Sequence, residues 1–371
     1  MRIAIVHDWL TNLGGAERVV AAMLEAYPQA DLYTSVYNPE RLRLFRDKRV
    51  HTTFLQNIPL AKQKHQLFSG MRRLAFEQLN LKGYDVVISS TTAEAKGIIT
   101  DERTLHISYI NTPTRYLWSH YEEYLAHPGF GVLDPLARWQ LRRTVQKARK
   151  WDFAAAQRPD VLLANSKHVQ KRIQKYYQRD SQVVYPVVDV ERFMKRRHPR
   201  PRHVPDRYML AVSRLVPYKR IDIAVQACEQ AGYPLIVIGA GPQLKSLRKI
   251  AGPQTQFLGE VKDSLVEAYL QHASAFLFPG EEDFGITPVE SLASGTPVIA
   301  YRRGGATETV ADSVGVLVRQ QSVAAFVRAI QEYDATCYDA DILQLRAQEF
   351  SRERFIAELQ RVVRASLESV G

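Results

Sequence analysis

Cysteine is nearly missing from this chain of 371 residues, where only Cys228 and Cys337 occur, far apart and without ligand-like neighbours. A disulfide framework and a structural zinc site are both excluded, and a reducing compartment fits best. No apolar run approaches the ~20 residues that span a bilayer. The opening "MRIAIVHDWL" has no basic region followed by a long apolar core, so its short apolar run reads as a first strand rather than an export signal. Low-complexity tracts and internal repeats are missing as well. So is any Ser-His-Asp or Cys-His set of the kind covalent catalysis uses.

What is present describes an ordered globular chain. An apolar fraction of 46% and an aromatic fraction of 10% supply core material, and the length suffices for two domains that each bury a core. Basic residues exceed acidic ones by 50 to 39, a formal charge of +11, which points to an anionic partner. Nucleic acid, an acidic membrane surface and a phosphorylated small molecule all satisfy that. No nucleic-acid recognition motif or basic-aromatic interleaving accompanies the charge, so nucleic acid is set aside. Residues 138–150, "RWQLRRTVQKARK", hold six Arg or Lys and no acid, and residues 61–73, "AKQKHQLFSGMRR", mix cations with apolar side chains. Each reads either as a solvated basic face or as a surface that leans on anionic headgroups.

Short apolar runs recur at "RIAIVHD", "DVVISS", "LHISYI", "VLLANS", "YMLAVSR", "PLIVIG", "AFLFPG" and "PVIAY", with helix-like stretches between them. Alternation of this kind predicts an α/β fold with parallel sheets, and continuous apolar runs predict strands covered on both faces. Residues 186–207, "PVVDVERFMKRRHPRPRHVPDR", are dense in proline and arginine and read as a connection. We therefore expect a first Rossmann-like domain over 1–186, a linker over 187–207 and a second such domain over 208–350. A closing helix is expected over 351–371, packing back on the first domain. Two doubly wound sheets facing across a cleft would place ligands beyond the carboxyl ends of the strands.

Several stretches carry candidate chemistry. In "HDWLTNLGGAERVV" a strand end runs into Gly14 and Gly15 and then a helix, which suits either a tight turn or close approach to an anion. "IVIGAGPQLKSL" lacks the third glycine of a dinucleotide fingerprint, since Leu244 stands there, so NAD is rejected. A capping turn, or a turn near a nucleotide, remains. In "AVSRLVPYKRID", Arg214 and Lys219 leave a strand end on one loop and can converge on a diphosphate. In "EEDFGITPVE", Glu282 lies in a loop and Glu290 about two turns into the following helix. Gly285 lets the N–H groups near Ile286 and Thr287 face a ligand. Two such carboxylates can accept from hydroxyls of two sugars. Asp339 and Asp341 form a DxD pattern in a polar segment, read as a solvated turn or helix cap, and no metal is implied.

Together these residues resemble the retaining glycosyltransferases of family 4, which pair two Rossmann-like domains in the GT-B arrangement. "SRLVPYK", "FLGEV", the Glu282 and Glu290 pair and "YRRGGATETV" resemble the donor half, while "NLGGAERVV" and "TPTRYLW" resemble the acceptor half. Within the family, the nearest likeness is to bacterial mannosyltransferases of O-antigen, capsule and exopolysaccharide assembly. The resemblance assigns Glu290 to a ribose and Glu282 to the transferred sugar near its C3 hydroxyl. Arg214 and Lys219 go to the diphosphate, and Phe284, Gly285, Ile286 and Thr287 to the sugar and phosphates. Gly259, Glu260 and Val261 would flank the base, and Gly15 would approach the phosphates from the first domain.

It also implies a GDP-mannose donor, a lipid-linked or saccharide acceptor, no cofactor or metal, and a peripheral place on the cytoplasmic face of the plasma membrane. One position departs from the pattern. The family usually carries histidine before the Thr-Pro of "TPTRYLW", where this chain has Asn111, which hydrogen-bonds but cannot become cationic. A UDP-sugar transferase and a weak or inactive sugar-nucleotide-binding homologue therefore stay open beside the mannosyltransferase. A two-lobed solute-binding protein is disfavoured by the cationic loop. On this reading, Glu282→Ala would lower turnover and leave nucleoside diphosphate affinity unchanged.

Overall fold

Apolar runs with side chains covered on both faces become the central strands of two parallel sheets, because only burial on both sides rewards such a run. The computed structural model of the protein describes residues 1–126, 131, 134–195 and 198–370. The chain divides into two compact units, one of Met1–Val187 with Phe355–Gly371 and one of Val188–Arg354.

In the first unit the strands are β1 (Ile3–His7), β2 (Asp31–Thr34), β3 (Val50–Thr52), β4 (Val86–Thr91), β5 (Leu105–Ile110), β6 (Val161–Ala164) and β7 (Gln182–Val183). Among the described residues they form a seven-stranded sheet in the order β3-β2-β1-β4-β5-β6-β7, every pairing parallel. The order reverses between β1 and β4, whose register sets His7 opposite Ser90. Glycine and small residues let the helix Gly15–Ala26 pack Val19, Val20 and Met23 onto this sheet. The closing helix Arg352–Val370 adds Phe355, Leu359, Val362 and Val363 to the same core. Tyr109, fully buried, meets Phe355 edge to face at 5.8 Å and donates its hydroxyl hydrogen to the Val184 carbonyl at 2.9 Å.

The second unit holds β8 (Met209–Val212), β9 (Leu235–Ile238), β10 (Thr255–Gly259), β11 (Ala275–Phe278), β12 (Val298–Tyr301) and β13 (Gly315–Val318). Its described strands make a six-stranded parallel sheet ordered β10-β9-β8-β11-β12-β13, with the reversal between β8 and β11. In open α/β sheets the crevice beyond the carboxyl ends at such a reversal is where ligands sit.

The stretch 187–207 is not a free connection throughout. Val190–Lys195 form a helix that buries Val190 and Phe193. Arg192 pairs with the buried Glu267 and, at 3.2 Å, with Asp263, while His198 Nε2 lies 2.8 Å from Glu267. Proline and arginine density hid an amphipathic turn whose cations have buried or neighbouring acids to meet. Positions 196 and 197 of that stretch lie outside the described residues.

Candidate functional site

In the second unit the loops that leave β8 and β11 carry Arg214, Lys219 and Glu282 to the reversal point of the sheet. The β8 loop closes with a 3-10 turn at Pro217–Lys219 and then Arg220, left-handed at φ 52°, whose guanidinium holds Asp222 at 3.0 Å. Gly280 allows the β11 loop to pass directly over it, since a Cβ there would lie 2.9 Å from the Lys219 Cα. Glu282 is fixed from the other side. The Gly305 N–H donates to the Glu282 carbonyl at 2.9 Å, and a Cβ on Gly304 would fall 2.2 Å from that oxygen. Between these supports the Lys219 ammonium and the Glu282 carboxylate form an ion pair, with side chains 18% and 17% exposed. Arg214 is exposed, and among the described residues its guanidinium makes no ion pair.

The helix Ile286–Ala293 begins at Gly285, whose φ of 85° suits glycine. Its first N–H groups have no acceptor within the helix and form, with the helix dipole, a patch of positive potential beside Glu282 in sequence. Ile286, Thr287 and Glu290 are half-buried. Two sequence expectations are corrected here. Glu290 is the fifth residue of this helix, little more than one turn from its start rather than two. Phe284 is 3% exposed, with its ring edge to face with Phe350 at 5.4 Å, so it offers a ligand backbone atoms rather than its ring. Burial of a large aromatic surface outweighs exposure of a single ring at a polar edge.

Gly259 ends β10 with φ 71°, followed by the exposed Glu260 and the half-buried Val261. Its carbonyl accepts from the Gly239 N–H at 2.8 Å, which ties the β9 and β10 ends together. The glycines of "GAG" have a structural cause. A Cβ on Gly239 would lie 1.9 Å from the Ser213 carbonyl oxygen and one on Gly241 2.3 Å from that of Leu215. Close backbone approach to the β8 loop requires them without any dinucleotide.

Gly15 and Asn111 belong to the first unit, both at the carboxyl edge of its sheet. Gly15 opens the helix Gly15–Ala26, and in its first turn the buried Glu17 reaches back toward His7, its Oε1 3.7 Å from His7 Nε2. His7 Nδ1 lies 2.9 Å from the Ser90 carbonyl. Burial works against charge on His7, but the Glu17 and Asp8 carboxylates carry its pKa above the ordinary histidine value. Asn111 follows β5 and donates its amide to Ser90 Oγ at 3.1 Å and to the Thr91 carbonyl at 3.4 Å. Its Oδ1 makes no hydrogen bond among the described residues, and an acceptor is what it presents.

Several residues that the sequence did not single out organise this edge. Asp8, fully buried, accepts from the N–H groups of Ala93 at 3.0 Å and Ala95 at 2.7 Å and so fixes the β4 loop. Asp152 accepts from Lys96 at 2.7 Å, Thr114 at 2.8 Å, Trp118 Nε1 at 2.8 Å and the Tyr177 hydroxyl at 2.9 Å. Much of "TPTRYLW" is thus structural, anchoring the chain after β5. The only advance signal was an acid inside an otherwise basic helix. Asp339 caps the helix Ala340–Gln348, accepting from the Asp341 N–H at 2.7 Å. The DxD pattern is a helix cap.

Residues 13–192 match the family described as Glycosyltransferase Family 4, and residues 193–334 match Glycosyl transferases group 1. Over 143 residues the chain is 34% identical to a GDP-mannose-dependent alpha-(1-6)-phosphatidylinositol monomannoside mannosyltransferase of Mycobacterium tuberculosis, covering 33% of this chain and 37% of that one. That alignment spans little more than a third of the relative's length. Alpha-1,3/1,6-mannosyltransferase ALG2 of Candida glabrata is 24% identical over 373 residues, covering 84% of this chain and 78% of its own. Among solved structures, Anabaena HepE in complex with UDP superposes with a TM-score of 0.69 at 18% identity, over 98% of this chain and all (100%) of that one. Sucrose-phosphate synthase of Thermosynechococcus elongatus gives 0.72 at 16% identity, over 100% of each chain.

Proposed function

We propose that this chain is a retaining mannosyltransferase using GDP-mannose, a reading its matches to Glycosyltransferase Family 4 over 13–192 and Glycosyl transferases group 1 over 193–334 support. The observation that carries this reading is the meeting of the Arg214 and Lys219 loop with the Glu282 loop at the reversal of the second sheet, beside a helix N-terminus. Such a site compensates two phosphates and offers carboxylates to sugar hydroxyls. The specificities for which the mycobacterial and yeast relatives are named support mannose and, for the former, GDP.

In this mechanism the acceptor hydroxyl oxygen attacks the anomeric carbon from the face the diphosphate leaves. The bond from that carbon to the phosphate oxygen breaks, and the departing oxygen takes the hydroxyl proton. Arg214, Lys219 and the first N–H groups of the helix Ile286–Ala293 stabilise the charge that develops on the phosphate. Glu282 holds the sugar and Glu290 the ribose, while Asn111 accepts from a hydroxyl where the family pattern has histidine.

A panel of GDP- and UDP-sugars, scored for binding and then for transfer with a chelator present, tests this. GDP is expected to bind at least tenfold better than UDP, about 1.4 kcal/mol. Mannose should be transferred with its anomeric configuration kept and without loss to the chelator. A preference for UDP would favour the second reading, a UDP-sugar transferase, which HepE solved with UDP-glucose supports. Binding of every donor without transfer would point to an inactive homologue.

The acceptor we propose is lipid-linked or a saccharide, met at the cytoplasmic face of the plasma membrane. Among the described residues no helix is long and apolar enough to cross a membrane. In the helix Asp134–Ala155 no residue before Val145 is buried, and Leu136 and Trp139 are 59% and 52% exposed among cations. Leu67 and Met71 in the other basic stretch, and Leu74 just after it, are likewise exposed. The protein is expected to sediment with anionic vesicles and to be released by salt, since such attraction is screened over about 8–10 Å. Equal sedimentation with neutral vesicles would remove the electrostatic part of this idea.

A further inference from the structure

We infer that Lys219 and Glu282 form an internal lock that couples recognition of the phosphates to recognition of the sugar, an inference that rests on the donor site proposed above. In the structure each is the other's partner. The roles assigned to them require different partners, a phosphate for the ammonium and a sugar hydroxyl for the carboxylate. Both cannot be fully met while the pair is intact.

The pair is held by its backbone rather than by chance contact of two long side chains. Gly280 lets the β11 loop lie on Lys219, and Gly304 and Gly305 clamp the backbone of Glu282. Arg220, the neighbouring cation, is engaged by Asp222 and does not compete for Glu282. Both side chains are largely withdrawn from water, so their charges are poorly screened and a third charge brought near is felt strongly.

A nucleoside diphosphate alone must draw Lys219 toward its phosphates and leave the Glu282 carboxylate uncompensated close to added negative charge. A diphosphate that carries a hexose supplies hydroxyl donors to that carboxylate as the ammonium turns to phosphate. The sugar is therefore read through the charge it relieves, and a donor lacking it binds against the lock. Exposed Arg214, outside the pair, is free to make the first contact with phosphate.

Calorimetry with GDP, GDP-mannose, UDP and UDP-glucose on the parent, Glu282→Gln and Lys219→Gln tests the lock. Glu282→Gln keeps shape and removes charge, and it should tighten the nucleoside diphosphate about five- to tenfold while abolishing the extra affinity that the sugar confers. Lys219→Gln should weaken the diphosphate about tenfold and keep that sugar increment, because the carboxylate is then already released. Unchanged diphosphate affinity in Glu282→Gln overturns the lock and leaves the proposed donor site standing. A tightened diphosphate with the sugar increment intact also overturns it, since the carboxylate would then merely repel phosphate. If the parent and both folded variants bind no nucleotide, the lock and the proposed function fall together.

Discussion

Glu282→Ala is expected to lower turnover about a hundredfold, equivalent to about 2.7 kcal/mol of lost transition-state stabilisation. On the proposed function the carboxylate holds the transferred sugar, and a sugar free to shift by an ångström loses alignment between the anomeric carbon and the acceptor oxygen. Single-turnover transfer at saturating donor is the measurement, because it separates the chemical step from binding. Turnover within threefold of the parent would show that Glu282 does not touch the reacting sugar. From the sequence, this substitution should not disturb nucleoside diphosphate affinity. The ion pair with Lys219 changes that expectation: alanine also releases the ammonium, so affinity should rise while turnover falls.

Asp152→Ala is expected to cost about 3–5 kcal/mol of stability in the first unit, because it strands a charged amine away from water. Lys96 is 1% exposed, and Asp152 is its carboxylate partner as well as the acceptor for Thr114, Trp118 and Tyr177. For a unit of this size the loss corresponds to roughly 6–20 °C in melting temperature. Removing both charges together, as Lys96→Met with Asp152→Leu, should recover part of that loss, since a buried pair replaced by apolar groups is often tolerated. Thermal unfolding followed by circular dichroism decides the matter. A melting point for Asp152→Ala within about two degrees of the parent would mean that water reaches Lys96 and the network contributes little.

The sequence by itself determined the eight strands whose apolar runs are continuous, which became β1, β4, β5, β6, β8, β9, β11 and β12. Each is central or nearly so, and burial on both faces leaves an unambiguous apolar stretch. It did not reveal β2, β3, β7, β10 or β13. β2 alternates half-buried and buried residues, β3 is half-buried throughout, and β7 has two residues, because strands toward a sheet edge are covered less completely. Composition also concealed the helix Val190–Lys195, whose formation depends on Glu267 and Asp263 from a helix much further along the chain.

At the candidate site, residue types and glycine spacing were legible: two cations on one loop and two carboxylates around Gly285. Their partners were not. Only the tertiary structure set Glu282 against Lys219, turned the ring of Phe284 into the interior and committed Thr114 and Trp118 to Asp152. Local spacing fixes which groups one segment can present, whereas an ion pair between loops 63 residues apart depends on strand order, since β8 and β11 become neighbours only when the sheet reverses between them.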